Sequence, residues 1–213
     1  MSTARDLLTI TTTLPSDRPV EQGDLSLALA GAELFDLLDA GAVTLDGDDL
    51  IVPGPPQVPA DDRLLGEAAA ALVREPPYES VEDWLWRRGR GLAAAYRAGA
   101  ARAAPAARRR LLPGRTEPAE PAASPAAQEA AGRWTAGDPV LTGLAAALGI
   151  RDVPAAEEAE GAAAEVAGQT AAAEDDVLAA VLSAVNGAVT ELEGVRQRRS
   201  VETAAFDNIW RAL

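Results

Sequence analysis

Apolar residues recur every three or four positions through most of the chain, which is the spacing of an amphipathic helix. One such stripe follows Asp24 and stops at Gly41, and another ends before Pro76. The longest periodic stretch covers 174–198, and a separate final helix is predicted over 201–210. The basic end of the longer stretch, with Arg196, Arg198 and the following Arg199, is interpreted as a charge complement of the helix C-terminus. The pattern predicts a mainly α fold, a helical bundle of amphipathic helices.

Two short apolar runs flank a polar turn directly after the first of these stripes. Val43 to Leu45 and Leu50 to Val52 enclose residues 46–49, whose sequence Asp-Gly-Asp-Asp begins with a hairpin signal. We therefore predict a small β-hairpin and a winged-helix-like N-terminal part. The aspartates of the turn lack the spacing and the closing glutamate of a calcium loop, so we predict no metal site there.

Three segments interrupt the single domain expected over 1–213. Residues 53–59 (PGPPQVP) predict a stiff Pro-rich connector, 100–125 a basic and then Pro/Ala-rich excursion, and 151–173 a mobile acidic loop of Ala, Glu and Gly. Residues 7–14 (LLTITTTL) fit either an extended segment or the first turn of a helix.

Positive charge is concentrated in one part of the chain. Nine of the 19 basic residues, all of them arginines, lie within 84–116, which contains none of the 33 acidic residues. Like charges crowded together repel, so segregation of this kind usually serves an anionic partner. The chain contains no lysine, and guanidinium groups suit two-point contacts with phosphate.

A helix predicted over 80–99, opened by a capping box at 80–83, carries the first of these arginines. On a helical wheel its apolar face contains Val81, Trp84, Leu85, Leu92 and Tyr96. The candidates for contact with an anion are Trp86, Arg87, Arg88, Arg90 and Arg97. On the wheel Trp86, Arg90 and Arg97 lie next to Arg87 on the other face, and Arg88 is the exception because it lies on the apolar face. Gly89 and Gly91 are positions at which this helix is expected to bend.

Residues beyond this helix continue the basic segment and add two leucines. The candidates for contact with a membrane surface, through charge and an apolar tip, are Arg108, Arg109, Arg110, Leu111 and Leu112. One alternative is that the arginines pair with acidic side chains of the chain itself. Another is a winged-helix-like nucleic-acid-binding protein that uses 84–116, against which the isoelectric point near 4.4 argues.

Catalysis finds little support in the sequence. The chain contains neither cysteine nor histidine, and no nucleophile elbow, P-loop or dinucleotide fingerprint occurs. We predict no catalytic residue, no cofactor and no metal, and hence no enzyme. The N-terminus has no secretory pattern, and no window of 18 uninterrupted apolar residues is found, so a cytoplasmic protein with peripheral membrane contact is expected.

Three stretches resemble the GPP34 family, whose eukaryotic member is Golgi phosphoprotein 3, and the bacterial, actinomycete-type form is the closest likeness. The stretches are 25–52 (LSLALAGAELFDLLDAGAVTLDGDDLIV), 80–99 (SVEDWLWRRGRGLAAAYRAG) and 177–213, which begins VLAAVLSAVNGAVTELEG. The resemblance implies a helical bundle that sits peripherally on membranes and binds phosphatidylinositol 4-phosphate through a tryptophan and arginines.

That resemblance assigns the lipid headgroup to the arginine-bearing helix, with Arg87 and Arg90 in the places of two family arginines, or with Arg88 there in alternative registers. A tryptophan of the eukaryotic pattern falls near Glu21 here, and an arginine falls in 29–31, and both are missing. The family's hairpin for self-association and membrane contact corresponds to about 100–120. The resemblance also implies an adaptor for a protein cargo, which the sequence does not identify, and self-association.

Overall fold

A computed structural model describes residues 2–14, 19–47, 49–55, 62–103, 124–150 and 167–211. These ranges form eight helices and one two-stranded antiparallel sheet. The helices are α1 (Thr3–Thr13), α2 (Gln22–Asp39), α3 (Arg63–Ala70), α4 (Val81–Arg88), α5 (Leu92–Ala103), α6 (Pro125–Thr135), α7 (Pro139–Ala147) and α8 (Ala167–Arg211). The prediction of a mainly α single domain is confirmed.

Helix α2 is the centre of the bundle. It contacts α1, α3, α4, α5, α7 and α8, and most of its leucines and alanines are buried on every side. A helix that is apolar all round belongs in a core. The buried polar residues of α2 are Asp24, Ser26, Glu33 and Asp36. Glu33 is fully buried and lies on the side of α2 that faces α4 and α5.

The hairpin lies where the sequence predicts it. Strands β1 (Val43–Asp46) and β2 (Leu50–Pro53) pair with Val43 opposite Pro53 and Asp46 opposite Leu50. The backbone of Ile51 donates to Glu79, and that of Val81 donates to Asp49, so the hairpin is joined to the residues that begin α4. This junction fixes the start of the arginine-bearing segment against the sheet.

Local capping signals explain where several helices begin. Asp62, Ser80, Ser124 and Asp138 each accept a backbone N–H of the first turn of the helix that follows. Helix α1 is different, because its cap comes from α2. Asp36 accepts the N–H groups of Thr3 and Ala4 at 2.8 and 3.4 Å.

The helix predicted over 80–99 is two helices. Helix α4 ends at Arg88, and α5 starts at Leu92 after a turn in which Gly91 has a φ of +72°. Glycine adopts this left-handed backbone without steric cost, so the change of direction is built into the sequence. Helix α5 then continues to Ala103, into the predicted excursion, while 104–123 lie outside the described residues.

The two helices predicted over 174–198 and 201–210 form the single helix α8. It begins at Ala167, so 167–173 of the predicted acidic loop are helical, whereas 151–166 lie outside the described residues, as does most of the 53–59 connector. The arginines at 196, 198 and 199, interpreted as complements of a helix C-terminus, lie well inside α8. That interpretation is wrong because the helix continues to Arg211.

Of the described helices, α8 contains one stretch, Asp175–Ala204, that is long and apolar enough to cross a membrane, with a mean hydropathy of 1.3 over an 18-residue window. The sequence prediction did not include such a stretch. Its buried members, Val181, Val185, Ala188 and Val189, pack in the core, and α8 contacts α2, α4 and α7. Of the apolar window, 22% is buried in the bundle, so packing accounts for part of this apolar face.

Candidate anion-binding site

Arg88 is held inside the fold by a buried carboxylate. Its Nε and Nη2 donate to the two oxygens of Glu33 at 2.7 and 2.9 Å, and Nη2 also donates to the carbonyl of Leu64 at 3.1 Å. The Arg88 side chain is 15% exposed, and that of Glu33 is 0% exposed. The hydroxyl of Tyr96 completes the group by donating to Glu33 at 3.0 Å. Arg88 therefore joins α4 to α2.

Burial governs the ionisation of this group. Removal from water raises the pKa of Glu33 above its ordinary value, and the hydrogen bonds and charge of Arg88 oppose that rise. Burial also raises the pKa of the Tyr96 phenol, with a further contribution from the Glu33 charge. A charged pair enclosed in this way is costly to break, because either partner alone would be an uncompensated buried charge.

Arg87 is occupied by a second carboxylate. Its Nε and Nη2 each lie 2.6 Å from an oxygen of Glu79, and Nη2 donates to the carbonyl of Ala71 at 3.0 Å. Its guanidinium carbon lies 5.3 Å from the centroid of the Trp84 ring. The hydrogen bonds that Arg87 donates to Glu79 raise the pKa of Arg87. Self-pairing, one of the alternatives in the sequence, thus accounts for Arg87 and Arg88.

Arg90 and Arg97 are different from these two. Both are exposed, and neither forms an ion pair or a side-chain hydrogen bond within the described ranges. Arg90 lies in the turn between α4 and α5, and Arg97 lies on the outer side of α5. Of the predicted residues that the structure describes, these two arginines keep their charge available to a ligand.

A cavity of about 340 Å³ opens beside Arg90. We call it the Arg90 cavity. Its walls come from the start of α2, the α4–α5 turn with Trp86 before it, and α8, and they consist of Gln22, Gly23, Ser26, Leu27, Trp86, Gly89, Arg90, Gly91 and Leu192. Trp86 is half-buried. Arg87, Arg88 and Arg97 are not among the wall residues.

Ser26 ties two walls of the Arg90 cavity together. Its hydroxyl accepts the backbone N–H of Ala93 in α5 at 3.1 Å and donates to the carbonyl of Gln22 at 2.8 Å. The first turn of α5 is thus anchored on α2, which sets the position of the Arg90 turn. The side chain of Glu21, the residue before α2, caps none of the N–H groups of that helix.

The larger groove found in the described part of the chain has the opposite charge. It measures about 570 Å³ between the hairpin, the start of α4 and α8. Asp49, Glu82 and Glu191 are among its lining residues. Three carboxylates repel a phosphate or a carboxylate, so the smaller Arg90 cavity is the better anion site.

Two groups of predictions stand apart from this geometry. The candidate membrane-contact residues Arg108, Arg109, Arg110, Leu111 and Leu112 lie outside the described residues. The sequence analysis did not predict the walls that α2 and α8 contribute, because Gln22, Gly23 and Leu192 carry no motif and become neighbours only through packing.

Arg196 was interpreted in the sequence as a complement of the helix C-terminus, and that role is wrong. Its Nη1 lies 2.8 Å from Asp24 in the first turn of α2.

The two missing family residues correspond to positions of different kinds. Glu21 is exposed beside the Arg90 cavity, next to the wall residue Gln22. Ala30 is fully buried, and its carbonyl accepts the Nε1–H of Trp84 at 3.1 Å. Trp84 is thereby confirmed as a core residue, and the core leaves no room for an arginine at position 30.

Comparison with known proteins gives one finding. The family model described as Golgi phosphoprotein 3 (GPP34) matches residues 4–205, which is nearly the whole chain and includes every wall of the Arg90 cavity. No curated protein and no solved structure matches. On the strength of a match over this length, the chain belongs to the GPP34 family.

Proposed function

We propose that this protein is a peripheral membrane protein that binds an anionic phospholipid headgroup in the Arg90 cavity. The observation that carries the proposal is that Arg90 lines a cavity while lacking a protein partner among the described residues. Function by binding without catalysis fits a site that offers charge and an aromatic wall, and whose wall hydroxyl, that of Ser26, is held by hydrogen bonds with Gln22 and Ala93. The expected location is the cytoplasm, at the inner face of the membrane.

The side chains of the Arg90 cavity suit a phosphate at a membrane surface. A guanidinium donates two parallel N–H bonds to phosphate oxygens, and such charge-assisted bonds are stronger than neutral ones. Trp86 adds an aromatic ring of the kind that is enriched where apolar and aqueous regions meet. Arg97 adds long-range attraction, and each basic side chain near an anionic surface contributes about 1 kcal/mol.

Family membership supports this proposal and suggests phosphatidylinositol 4-phosphate as the headgroup. A tryptophan is missing near Glu21, but Trp86 lies on another wall of the same cavity and takes its place in the proposed site. The missing arginine has no substitute at position 30. We therefore propose a site centred on Trp86 and Arg90, in which Arg87 and Arg88 stabilise the α4 segment rather than contact the lipid.

An adaptor role completes the proposal. A protein bound to the membrane through the Arg90 cavity retains other surfaces for a protein cargo or for a second copy of itself. The predicted residues 108–112, with their three arginines and two leucines, would add membrane contact. Neither the cargo nor the oligomer is identified by the described residues.

Vesicle flotation tests the proposal. One set of vesicles carries phosphatidylinositol 4-phosphate, another carries phosphatidylglycerol at equal total charge, and each is used at low and at high salt. The variants are Trp86→Ala and Arg90→Ala, with Arg63→Ala as the control because Arg63 is an exposed arginine on α3, away from the cavity. We expect the first two variants to weaken binding to the phosphoinositide about tenfold, and Arg63→Ala to have little effect.

The other outcomes are equally informative. Equal losses in Arg90→Ala and Arg63→Ala, no loss in Trp86→Ala, and loss of all binding at high salt would mean general attraction of charge without a site. Absence of flotation by the wild-type protein would overturn the membrane proposal. Binding of the same protein to nucleic acid, insensitive to Trp86→Ala, would then favour the nucleic-acid alternative.

A further inference from the structure

A second arginine lies at the edge of the Arg90 cavity. Arg196 projects from α8 one turn after the wall residue Leu192. A Cβ placed on Gly23, another wall residue, would lie 2.8 Å from Arg196 Nη2 and 2.7 Å from Leu192 Cδ2. Because only glycine leaves this space, the guanidinium rests directly on the first turn of α2.

The position of Arg196 is set by Asp24. The Nη1 atom lies 2.8 Å from Asp24 Oδ1, and the Asp24 side chain is 5% exposed. The contact engages one nitrogen of the guanidinium, and Nε and Nη2 have no acceptor among the described residues. Charge therefore holds Arg196 in place without using its N–H groups fully.

Most donors of Arg196 remain available. A guanidinium has five N–H donors. In the part of the chain that the structure describes, the hydrogen bond of this side chain is a long one, 3.4 Å from Nη1 to Glu193 Oε2. The side chain is 30% exposed, so solvent and solutes reach it. A cation held beside a cavity with unused donors is equipped to receive an oxyanion.

We infer that Arg196 is a second phosphate-binding side chain of the Arg90 cavity, contributed by α8 and positioned by Asp24. This inference rests on the proposed function, because it concerns the same ligand site. Arg90 would approach the phosphate from the α4–α5 turn, and Arg196 would approach it from the wall at Gly23.

Two guanidinium groups favour one chemical class of headgroup. A phosphate monoester carries close to two negative charges and three free oxygens, whereas the phosphodiester of phosphatidylglycerol carries one charge and two free oxygens. The second cation therefore contributes more to a monoester than to a diester. Arg196 becomes a residue that determines specificity as well as affinity.

The experiment compares Arg196→Ala with a matched control, Arg198→Ala. Both substitutions remove one positive charge from α8, but Arg198 is turned by about 200° around the helix axis. Flotation with phosphatidylinositol 4-phosphate vesicles and with charge-matched phosphatidylglycerol vesicles measures affinity. Arg196→Ala is expected to weaken binding to the phosphoinositide about tenfold, the equivalent of one charge-assisted hydrogen bond. Arg198→Ala is expected to change it less than about twofold, as for one screened surface charge.

A double variant separates contact from charge neutralisation. In Asp24→Asn/Arg196→Ala, the buried carboxylate is gone, so the loss of Arg196 leaves no unpaired charge that would repel the ligand or destabilise the fold. If Arg196 touches the phosphate, the double variant stays as weak as Arg196→Ala. Recovery of wild-type binding would show that Arg196 serves only to neutralise Asp24 and would overturn the inference.

Wild-type and Arg90→Ala samples keep this test apart from that of the proposed function. If the wild type floats and depends on Arg90, but Arg196→Ala equals Arg198→Ala, the inference fails and the proposed function stands. If the wild type does not float, both fail. Soluble inositol 1,4-bisphosphate, measured by calorimetry, adds the free ligand: Arg196-dependent binding supports a phosphate site, and binding that ignores Arg196 contradicts it.

Discussion

Arg88 donates two hydrogen bonds to the fully buried carboxylate of Glu33, at 2.7 and 2.9 Å, and this pair links α4 to the central helix α2. The Arg88→Ala substitution would leave Glu33 as an unpaired charge in the core. We expect it to lower the free energy of unfolding by about 3–5 kcal/mol. Urea denaturation followed by circular dichroism measures this loss.

Two control variants for Arg88→Ala change its partner Glu33 and the nearby Arg90. The double variant Arg88→Ala/Glu33→Gln removes both charges, so it should be more stable than Arg88→Ala alone. Arg90→Ala should leave stability nearly unchanged, because Arg90 is exposed and forms no ion pair within the described ranges. An Arg88→Ala protein of wild-type stability with reduced lipid binding would instead return Arg88 to the headgroup site.

Substitution of Arg87 is expected to destabilise the fold less than substitution of Arg88. Its pair with Glu79 is partly open to water, with the Arg87 side chain 42% exposed, so solvent screens much of the attraction. The Arg87→Ala variant is expected to lose about 1 kcal/mol of unfolding free energy and to float with vesicles as the wild type does. A tenfold loss of phosphoinositide binding, at unchanged stability, would contradict the placement of Arg87 outside the site.

Asp36 is expected to be essential for α1. Its carboxylate accepts the N–H groups of Thr3 and Ala4 and the hydroxyl of Ser2, so Asp36→Ala leaves buried donors without an acceptor. We expect a loss of about 1–3 kcal/mol in the free energy of unfolding. Asp39→Ala serves as the control because Asp39 lies in the same helix but is exposed. Equal effects of the two substitutions would refute the capping role.

The ionisation of Asp36 is expected to make the free energy of unfolding depend on pH. Burial raises the pKa of Asp36 above its ordinary value of 3.8, so the folded protein binds this proton more tightly than the unfolded chain does. Its contribution to stability is complete below pH 3.8 and is lost as pH rises through the folded-state pKa. Asp36→Asn cannot titrate, so the stability of the wild type relative to this variant should increase as pH falls from 7 towards 4. Urea titrations across that range check the slope, and parallel curves would rule it out.

Signals that act within one turn of a helix were sufficient to predict much of this fold. The capping side chains of Asp62, Ser80 and Asp138 act on N–H groups three residues away, and the hairpin depends on a turn of four residues. The sequence did not decide between a helix and an extended segment for α1, because its threonines favour extended chain and its cap, Asp36, lies 33 residues from Thr3. An interaction over that separation leaves no local pattern in the sequence.

In the candidate site, too, local patterns were predicted from the sequence and contacts between distant segments were not. A single helical wheel placed Arg87 beside Arg90, but the turn at Gly91 ends the first helix before Arg90, and Glu79 and Glu33 take up the two preceding arginines. A helical wheel shows which residues share a face of the helix. It does not show which carboxylates from other segments pack against that face. The walls supplied by α2 and α8 follow from tertiary packing, which also explains why Arg196 was misassigned.

Helix α8 contains 45 residues and is therefore about 67 Å long, yet its side chains described as buried, Val181, Val185, Ala188 and Val189, all lie within two and a half turns. Its resistance to local opening is expected to follow the same distribution. Amide hydrogens near 181–189 should exchange with deuterium most slowly, and those towards Ala167 and Arg211 progressively faster. The helix is in this respect a rod clamped near its middle, and its two arms can fray independently while the clamp keeps Leu192 beside the cavity.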